Sequence, residues 1–195
     1  MPNQRRPTLV LMARWPMLGQ GKSRLAADTS AANAVRVQRH SLDRLVTRLG
    51  HQPGFRPVIA FANTADLRRA KKHRRFAGLC QVAQTPGDLG QRMRQLLISY
   101  GQRLRPVLII GSDLPSIRPA DLSSALKLLR SHDVVLGPAA DGGFWLIGWR
   151  GGPAQAMPSL AGITWSTAST RAETIKRLSN SRSRRRRGSA TVGLL

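Results

Sequence analysis

Val107-Leu108-Ile109-Ile110-Gly111-Ser112-Asp113-Leu114-Pro115 is the stretch that decides the fold. Four large apolar residues run without a polar break, and three of them are β-branched. That is the pattern of a strand buried on both faces, not of one alternating between core and water. The run then stops abruptly in Gly-Ser-Asp, with a proline two residues on. A strand covered on both sides needs helices above and below it, which is the architecture of a parallel sheet.

The rest of the chain supplies matching parts. Further β-type runs lie at residues 8–12, 57–62, 79–84, 133–136 and 144–149. Between them lie helical patterns. Residues 22–49 carry an apolar stripe of Leu25, Val35, Leu42, Leu45, Val46 and Leu49, with Ser30 or Asn33 placed to break it or to cap a second helix. Residues 64–75 read as a helix with a basic outer face, and Asp88 can cap a helix running to about residue 103. Pro119 suits a helical first turn that opens a helix to residue 130, and residues 167–178 form a last helix. Strand and helix alternate with short loops. This predicts an α/β fold of the three-layer α/β/α sandwich type, with a mainly parallel sheet over residues 1–178. The Ser/Arg-rich tail of residues 179–195 is expected to be disordered.

Bulk composition narrows the function classes. A chain of 195 residues with 41% hydrophobic content can build a packed core without staples. The one cysteine, Cys80, excludes an internal disulfide or a cysteine zinc site and reads as a buried, inert thiol. The longest N-terminal apolar run, residues 9–13, is too short for a signal-peptide core or a membrane span, so a soluble, cytoplasmic protein with no membrane partner is expected. Four histidines show no metal-ligand spacing and are expected to face solvent. The 32 Lys+Arg against 9 Asp+Glu give a net charge of +23, spread along the chain and not confined to the tail arginines. Such a field attracts anionic substrates and polyanions alike, so non-specific polyanion binding through the surface and the tail is expected.

Ligands of parallel sheets bind at the carboxyl ends of the strands. Four segments of interest lie there. The first, Arg14-Trp15-Pro16-Met17-Leu18-Gly19-Gln20-Gly21-Lys22-Ser23-Arg24, follows the first strand. Its glycines permit close backbone approach, and Lys22 and Arg24 can bond phosphate, but the spacing fits neither a Walker loop nor Gly-x-Gly-x-x-Gly. An ordinary strand-to-helix turn explains it equally well. The second places Asp113 just beyond the central strand, suited either to a Mg2+ or Mn2+ shared with phosphates or to capping the next turn. The third, Asp141-Gly142-Gly143-Phe144, is either a tight turn or a loop over an acceptor. The fourth, Gly87 to Met93, is either a capped helix start or a means of placing Arg92 near a phosphate.

In series, these segments and Trp165-Ser166-Thr167 resemble a bacterial family of small GT-A-fold glycosyltransferase-like proteins, some labelled arsenosugar biosynthesis glycosyltransferases. They lie within the wider nucleotide-diphospho-sugar transferase superfamily, which includes guanylyltransferases. The resemblance spans about residues 8–178. It implies a transferase that uses a nucleotide-sugar or nucleoside triphosphate, a small-molecule acceptor and a divalent metal, Mg2+ or Mn2+. Arg14, Gly19, Lys22, Arg24 and Arg92 would hold nucleotide and phosphate. Asp113 would take the metal position, Asp141 would be a second catalytic carboxylate, and Gly142, Gly143 and Phe144 would line the acceptor side. An acceptor oxygen would attack the sugar C1, or the α-phosphate in a nucleotidyl version. Related proteins continue into an Asp-x-Asp-Thr-x-x-Asp-Leu type segment, whereas no acidic residue follows Glu173 here. The expectation is a truncated or frame-shifted end with an incomplete metal site. A basic nucleic-acid-binding protein and an inactive scaffold are the rival readings.

Overall fold

A computed structural model of the protein describes residues 6–17, 30–50, 52, 54–102, 104–112, 117–180, 182–183 and 188–195. Its strands are β1 (Thr8–Ala13), β2 (Arg56–Phe61), β3 (Cys80–Ala83), β4 (Val107–Gly111), β5 (Val134–Pro138), β6 (Phe144–Trp149), β7 (Arg182–Ser183), β8 (Gly188–Ser189) and β9 (Val192–Leu194). The helices are α1 (Ala31–Gly50), α2 (Thr64–Lys71), α3 (Leu89–Gly101), α4 (Pro119–Leu128) and α5 (Thr170–Ser179). A seven-stranded sheet runs in the order β3-β2-β1-β4-β6-β5-β9, and β7 and β8 form a separate two-stranded ribbon. Within the seven-stranded sheet the pairings are parallel except those of β6, which runs antiparallel to both β4 and β5, and β7 pairs antiparallel with β8.

The predicted three-layer α/β arrangement is what the side chains build. Along β1, Leu9 and Leu11 enter one apolar layer while Val10 enters the other. In β4, Leu108 and Ile110 join the first layer, and Val107 and Ile109 the second. Alternate strand residues point to opposite faces, so an unbroken apolar run means that both faces are covered. One cover is α1 and α4, through Leu42, Leu45, Val46, Leu49 and Leu122. The other is α3, α5 and the chain before α5, through Met93, Leu97, Leu160 and Leu178.

Helix starts follow local chemistry. The Oγ of Ser30 accepts the Asn33 N–H at 3.2 Å, which places the start of α1 at Ala31. The expected helix over 64–75 splits: α2 ends at Lys71 and a short 3-10 turn covers Arg74–Phe76, driving Phe76 into the core. No helix among the described residues is long and apolar enough to cross a membrane. The Cys80 thiol is half-buried, against an expectation of full burial, and lies beside Tyr100. Burial, reinforced by Cys80, pushes the Tyr100 phenol up to about 12. His132 is also half-buried, with its ring packed on Gly193 of β9, so it departs from the solvent-facing expectation.

Part of the tail expected to be disordered is ordered in the sheet. Val192–Leu194 form the edge strand β9, parallel to β5. The Ser/Arg run before it conceals a short apolar segment that the sheet can extend over. Asp133 fixes its register. One carboxylate oxygen accepts the Thr191 N–H at 3.1 Å and the Thr191 hydroxyl at 3.2 Å. The other accepts Arg150 Nη1 at 3.3 Å. Together these bonds to a largely buried carboxylate contribute about 2–3 kcal/mol net, because the partners freed by its loss can still reach water. Asp133→Ala is therefore expected to lower urea stability by roughly 2–3 kcal/mol and to free β9 for rapid amide exchange. Unchanged stability would mean that the strand is held by its backbone ladder alone.

Candidate functional site

The sheet directs attention to one edge. β1 and β4 are parallel neighbours with Met12 opposite Gly111, so the loops after both strands leave the sheet at the same level. In antiparallel β6, Leu146 faces Ile110, which sets Phe144 at that same end of β4. The turn joining β5 to β6, residues 139–143, therefore lies on this edge too. So do the starts of α2 and α3, which follow β2 and β3. Gly111 is exposed, and a Cβ built on it would meet nothing within 4 Å among the described residues.

The base of the loop after β1 is anchored from below. The Trp15 N–H donates to Oδ2 of Asp66 at 3.0 Å, across 51 residues of sequence. Asp66 is buried, 1% exposed, in the first turn of α2. Its own N–H donates to Oδ1 of Asn63, the residue that caps the helix, at 2.8 Å. A carboxylate there is favoured by the helix amides and can accept the bond without a buried orphan. The Trp15 ring packs against His73 at 5.1 Å and Phe76 at 6.1 Å between centroids. Arg14 is left exposed at the loop's start. Gly19, Lys22 and Arg24, expected on phosphate, lie outside the described residues, as does Asp113.

The Asp141 turn is a built structure. The Gly143 N–H donates to Asp141 Oδ1 at 3.0 Å, so one carboxylate oxygen holds the turn. Gly142 adopts φ +83, and a Cβ there would sit 2.1 Å from the Ala168 carbonyl oxygen. The α5 start braces the turn from outside. The Arg171 N–H donates to the Gly142 carbonyl at 3.0 Å, and Arg171 Nη1 to the Ala139 carbonyl at 3.3 Å. The tight-turn reading of Asp141-Gly142-Gly143 thus describes the local geometry, and Asp141 itself is exposed.

The segment before α5 is held by hydroxyls. Glu173 accepts the Ser169 hydroxyl at 2.6 Å and the Thr164 N–H at 2.8 Å, and these bonds hold its carboxyl below the ordinary range. Ser166 within it has φ +64, an uncommon conformation for a non-glycine residue. Trp165 contacts Phe144 edge-on at 6.3 Å and covers Gly90, where a Cβ would come within 2.5 Å of the ring. This ties the start of α3 to the start of β6. The capped-start reading of Gly87 to Met93 describes that helix end: Asp88 and Gln91 exchange bonds at 2.8 and 2.9 Å. Arg92 spends its Nε on the Gly87 carbonyl at 2.8 Å, which fixes its position on the same edge.

The structure thus gathers Arg14, Arg92 and Asp141 to Phe144 at one edge. Asp66 and Arg171 went unread in the sequence. The signal for Asp66 was the Asn63-x-x-Asp66 spacing of a capped helix, and for Arg171 nothing local would serve, because it acts across 32 residues. Among the described residues, no three acidic, histidine or cysteine side chains converge as a metal cluster.

Comparison with known proteins agrees with this geometry. Residues 42–167 match the family described as "Uncharacterized protein conserved in bacteria (DUF2064)". The 3-phospho-D-glycerate guanylyltransferase of Phenylobacterium zucineum (strain HLK1) is 34% identical over 137 residues, 67% of this chain. The chain spans 62% of that relative's length. Among solved structures, a Desulfovibrio desulfuricans G20 protein assigned to the nucleotide-diphospho-sugar transferases superposes with a TM-score of 0.78 at 26% identity, covering 97% of this chain and 79% of its own. A 4-diphosphocytidyl-2C-methyl-D-erythritol synthase shares the fold at a TM-score of 0.55 and 12% identity, covering 97% of this chain and 88% of its own.

Gly142→Ala is expected to destabilise the protein by at least about 1–2 kcal/mol, from the left-handed conformation alone, and more from the clash with Ala168. Gly143→Ala, whose Cβ would meet a movable Asp141 side chain at 3.2 Å, should cost less. Thermal unfolding of the pair checks the order. Equal losses would mean that the turn does not dock on Ala168.

Proposed function

The chain belongs to the DUF2064 family, and from that premise we propose that it is a nucleotidyltransferase that joins a nucleoside monophosphate unit to a small phosphorylated acceptor. The observation that carries this reading is the 34% identity to a guanylyltransferase named for 3-phospho-D-glycerate. Transfer of a sugar from a nucleotide-sugar, the activity expected from the sequence, fits the same fold. The nucleotide-diphospho-sugar transferase likeness supports the coarser class, a transferase acting on an activated nucleotide.

In this reading the loop of residues 14–24 holds the triphosphate, with Arg14, Gly19, Lys22 and Arg24 against phosphate and Asp66 fixing the loop's base through Trp15. An oxygen of the acceptor phosphate attacks the α-phosphorus. The bond from the α-phosphorus to the bridging oxygen breaks, and pyrophosphate leaves with the electron pair. Cationic side chains offset the charge that builds on the departing pyrophosphate. Arg92 and the turn of Asp141, Gly142, Gly143 and Phe144 face the acceptor. Asp141, with one oxygen committed to Gly143, orients that side of the site and does not serve as a mobile base.

A divalent metal, Mg2+ or Mn2+, when bound would neutralise phosphate charge. Asp113 is the residue proposed to hold it. The described carboxylates near that edge include Asp66, Asp88 and Asp141, each already accepting a backbone N–H, and no three acidic, histidine or cysteine side chains among the described residues converge as a metal cluster.

Calorimetry with GTP, CTP and UDP-, GDP- and dTDP-sugars, with and without Mn2+, tests the reading, followed by pyrophosphate release with 3-phosphoglycerate present. A nucleoside triphosphate is expected to bind, with pyrophosphate released only when a phosphorylated acceptor is added. Asp113→Asn is expected to weaken metal-dependent binding by about tenfold or more, some 1.4 kcal/mol. A folded protein that binds nucleotide-sugars but no triphosphate would overturn nucleotidyl transfer in favour of glycosyl transfer.

A further inference from the structure

Among the described residues, a dense cluster of positive charge lies on the outer faces of α1 and of the segment from α2 through the turn at Arg74–Phe76. Arg36, Arg39, Arg44 and Arg48 are exposed along α1. Their spacing puts them on its outward side, over a length of about 18 Å at 1.5 Å per residue. Arg68, Lys71, Lys72 and Arg74 are exposed on the second segment. None of these eight has a carboxylate within ion-pairing distance among the described residues.

The two acidic residues of this region are already neutralised. Asp66 is buried and bonded to Trp15 and Arg69. Asp43, on α1, pairs with Arg75 of the turn. That ion pair also joins the two faces across a cleft of about 510 Å³, lined by Asp43, Val46 and Thr47 on one side and Arg75, Gly78 and Leu79 on the other. The result is a continuous cationic surface with its acids removed from competition.

We propose that this surface binds the phosphate backbone of a nucleic acid, without regard to base sequence. The pattern matches that ligand better than other polyanions. An arginine row of about 18 Å runs alongside roughly five phosphates of a strand that carries one charge per 3.4 Å of axis. Six of the eight cations are arginines, whose forked guanidinium bonds two phosphate oxygens at once. A membrane surface would need apolar side chains to insert, and Val37 is the one large apolar residue exposed on this face among those described. No exposed Phe, Trp or Tyr offers a stacking platform there, so bases go unread. The surface belongs to the helical layer over the Leu9 and Leu108 side of the sheet and does not depend on the nucleotidyltransferase reading.

Fluorescence anisotropy with a labelled duplex of about 20 base pairs, across a salt series, tests this on the full chain. The variant Lys71→Glu/Lys72→Glu/Arg74→Glu is compared with Lys127→Glu/Arg130→Glu/Lys176→Glu, which changes net charge equally using exposed cations elsewhere. The first is expected to lose about tenfold or more in affinity and to flatten the salt slope by about 3, and the second to change affinity less than about threefold. Arg36→Glu/Arg39→Glu/Arg44→Glu reads the same surface from α1 and serves if the first variant fails to fold by circular dichroism. Equal losses in surface and control variants would overturn the proposal by showing bulk charge alone. So would binding to phosphatidylserine vesicles with none to the duplex.

Discussion

The parallel pairing of β1 with β4, buried on both faces, is the constraint on which everything else depends. Backbone groups in that position have no water to turn to, so the ladder must be complete and its register is fixed by side-chain alternation. With Met12 opposite Gly111, the two loops that follow must emerge side by side. Arg14 to Met17 and Ser112, where those loops begin, therefore lie at one edge. Reversing β6 against β4 brings a third loop, the Asp141 turn, to the same place by a hairpin instead of a crossover.

What stands around that edge is bracing. Asp66 holds the loop after β1 from the side of α2, and Arg171 holds the Asp141 turn from the side of α5. Trp165 wedges between the start of α3 and Phe144. Each brace uses a polar group that burial would otherwise penalise, or a ring that fills space where a glycine leaves room. Pre-positioned loops of this kind suit a reaction in which the protein mainly orients phosphates and stabilises charge.

The architecture was legible because its signals are local. The run Val107 to Ile110 can be read without knowing its neighbours, and so can the Asp88 cap. Long-range contacts have no such signature. Asp66 meets Trp15 across 51 residues, and the value of Gly142 depends on a carbonyl at Ala168. The last strand was hidden for a different reason. Three residues of moderate apolarity follow a Ser/Arg run, and only pairing with β5 and the Asp133 clamp make them a strand. The half-buried His132 follows from that same strand, since Gly193 packs on its ring. Of the candidate site, the edge and its turns could be foreseen, while Gly19, Lys22, Arg24 and Asp113 remain named by sequence alone.

The central claim is that a nucleoside triphosphate occupies the edge where β1, β4 and the β5–β6 turn meet. Hydrogen–deuterium exchange of the full chain with and without GTP tests it most directly. With GTP bound, exchange is expected to slow at Arg14 and Trp15, at Gly111 and Ser112 and across Asp141 to Phe144, with the outer faces of α1 and α2 unchanged. Protection confined to those helix faces, or none at the sheet edge at saturating nucleotide, would contradict it.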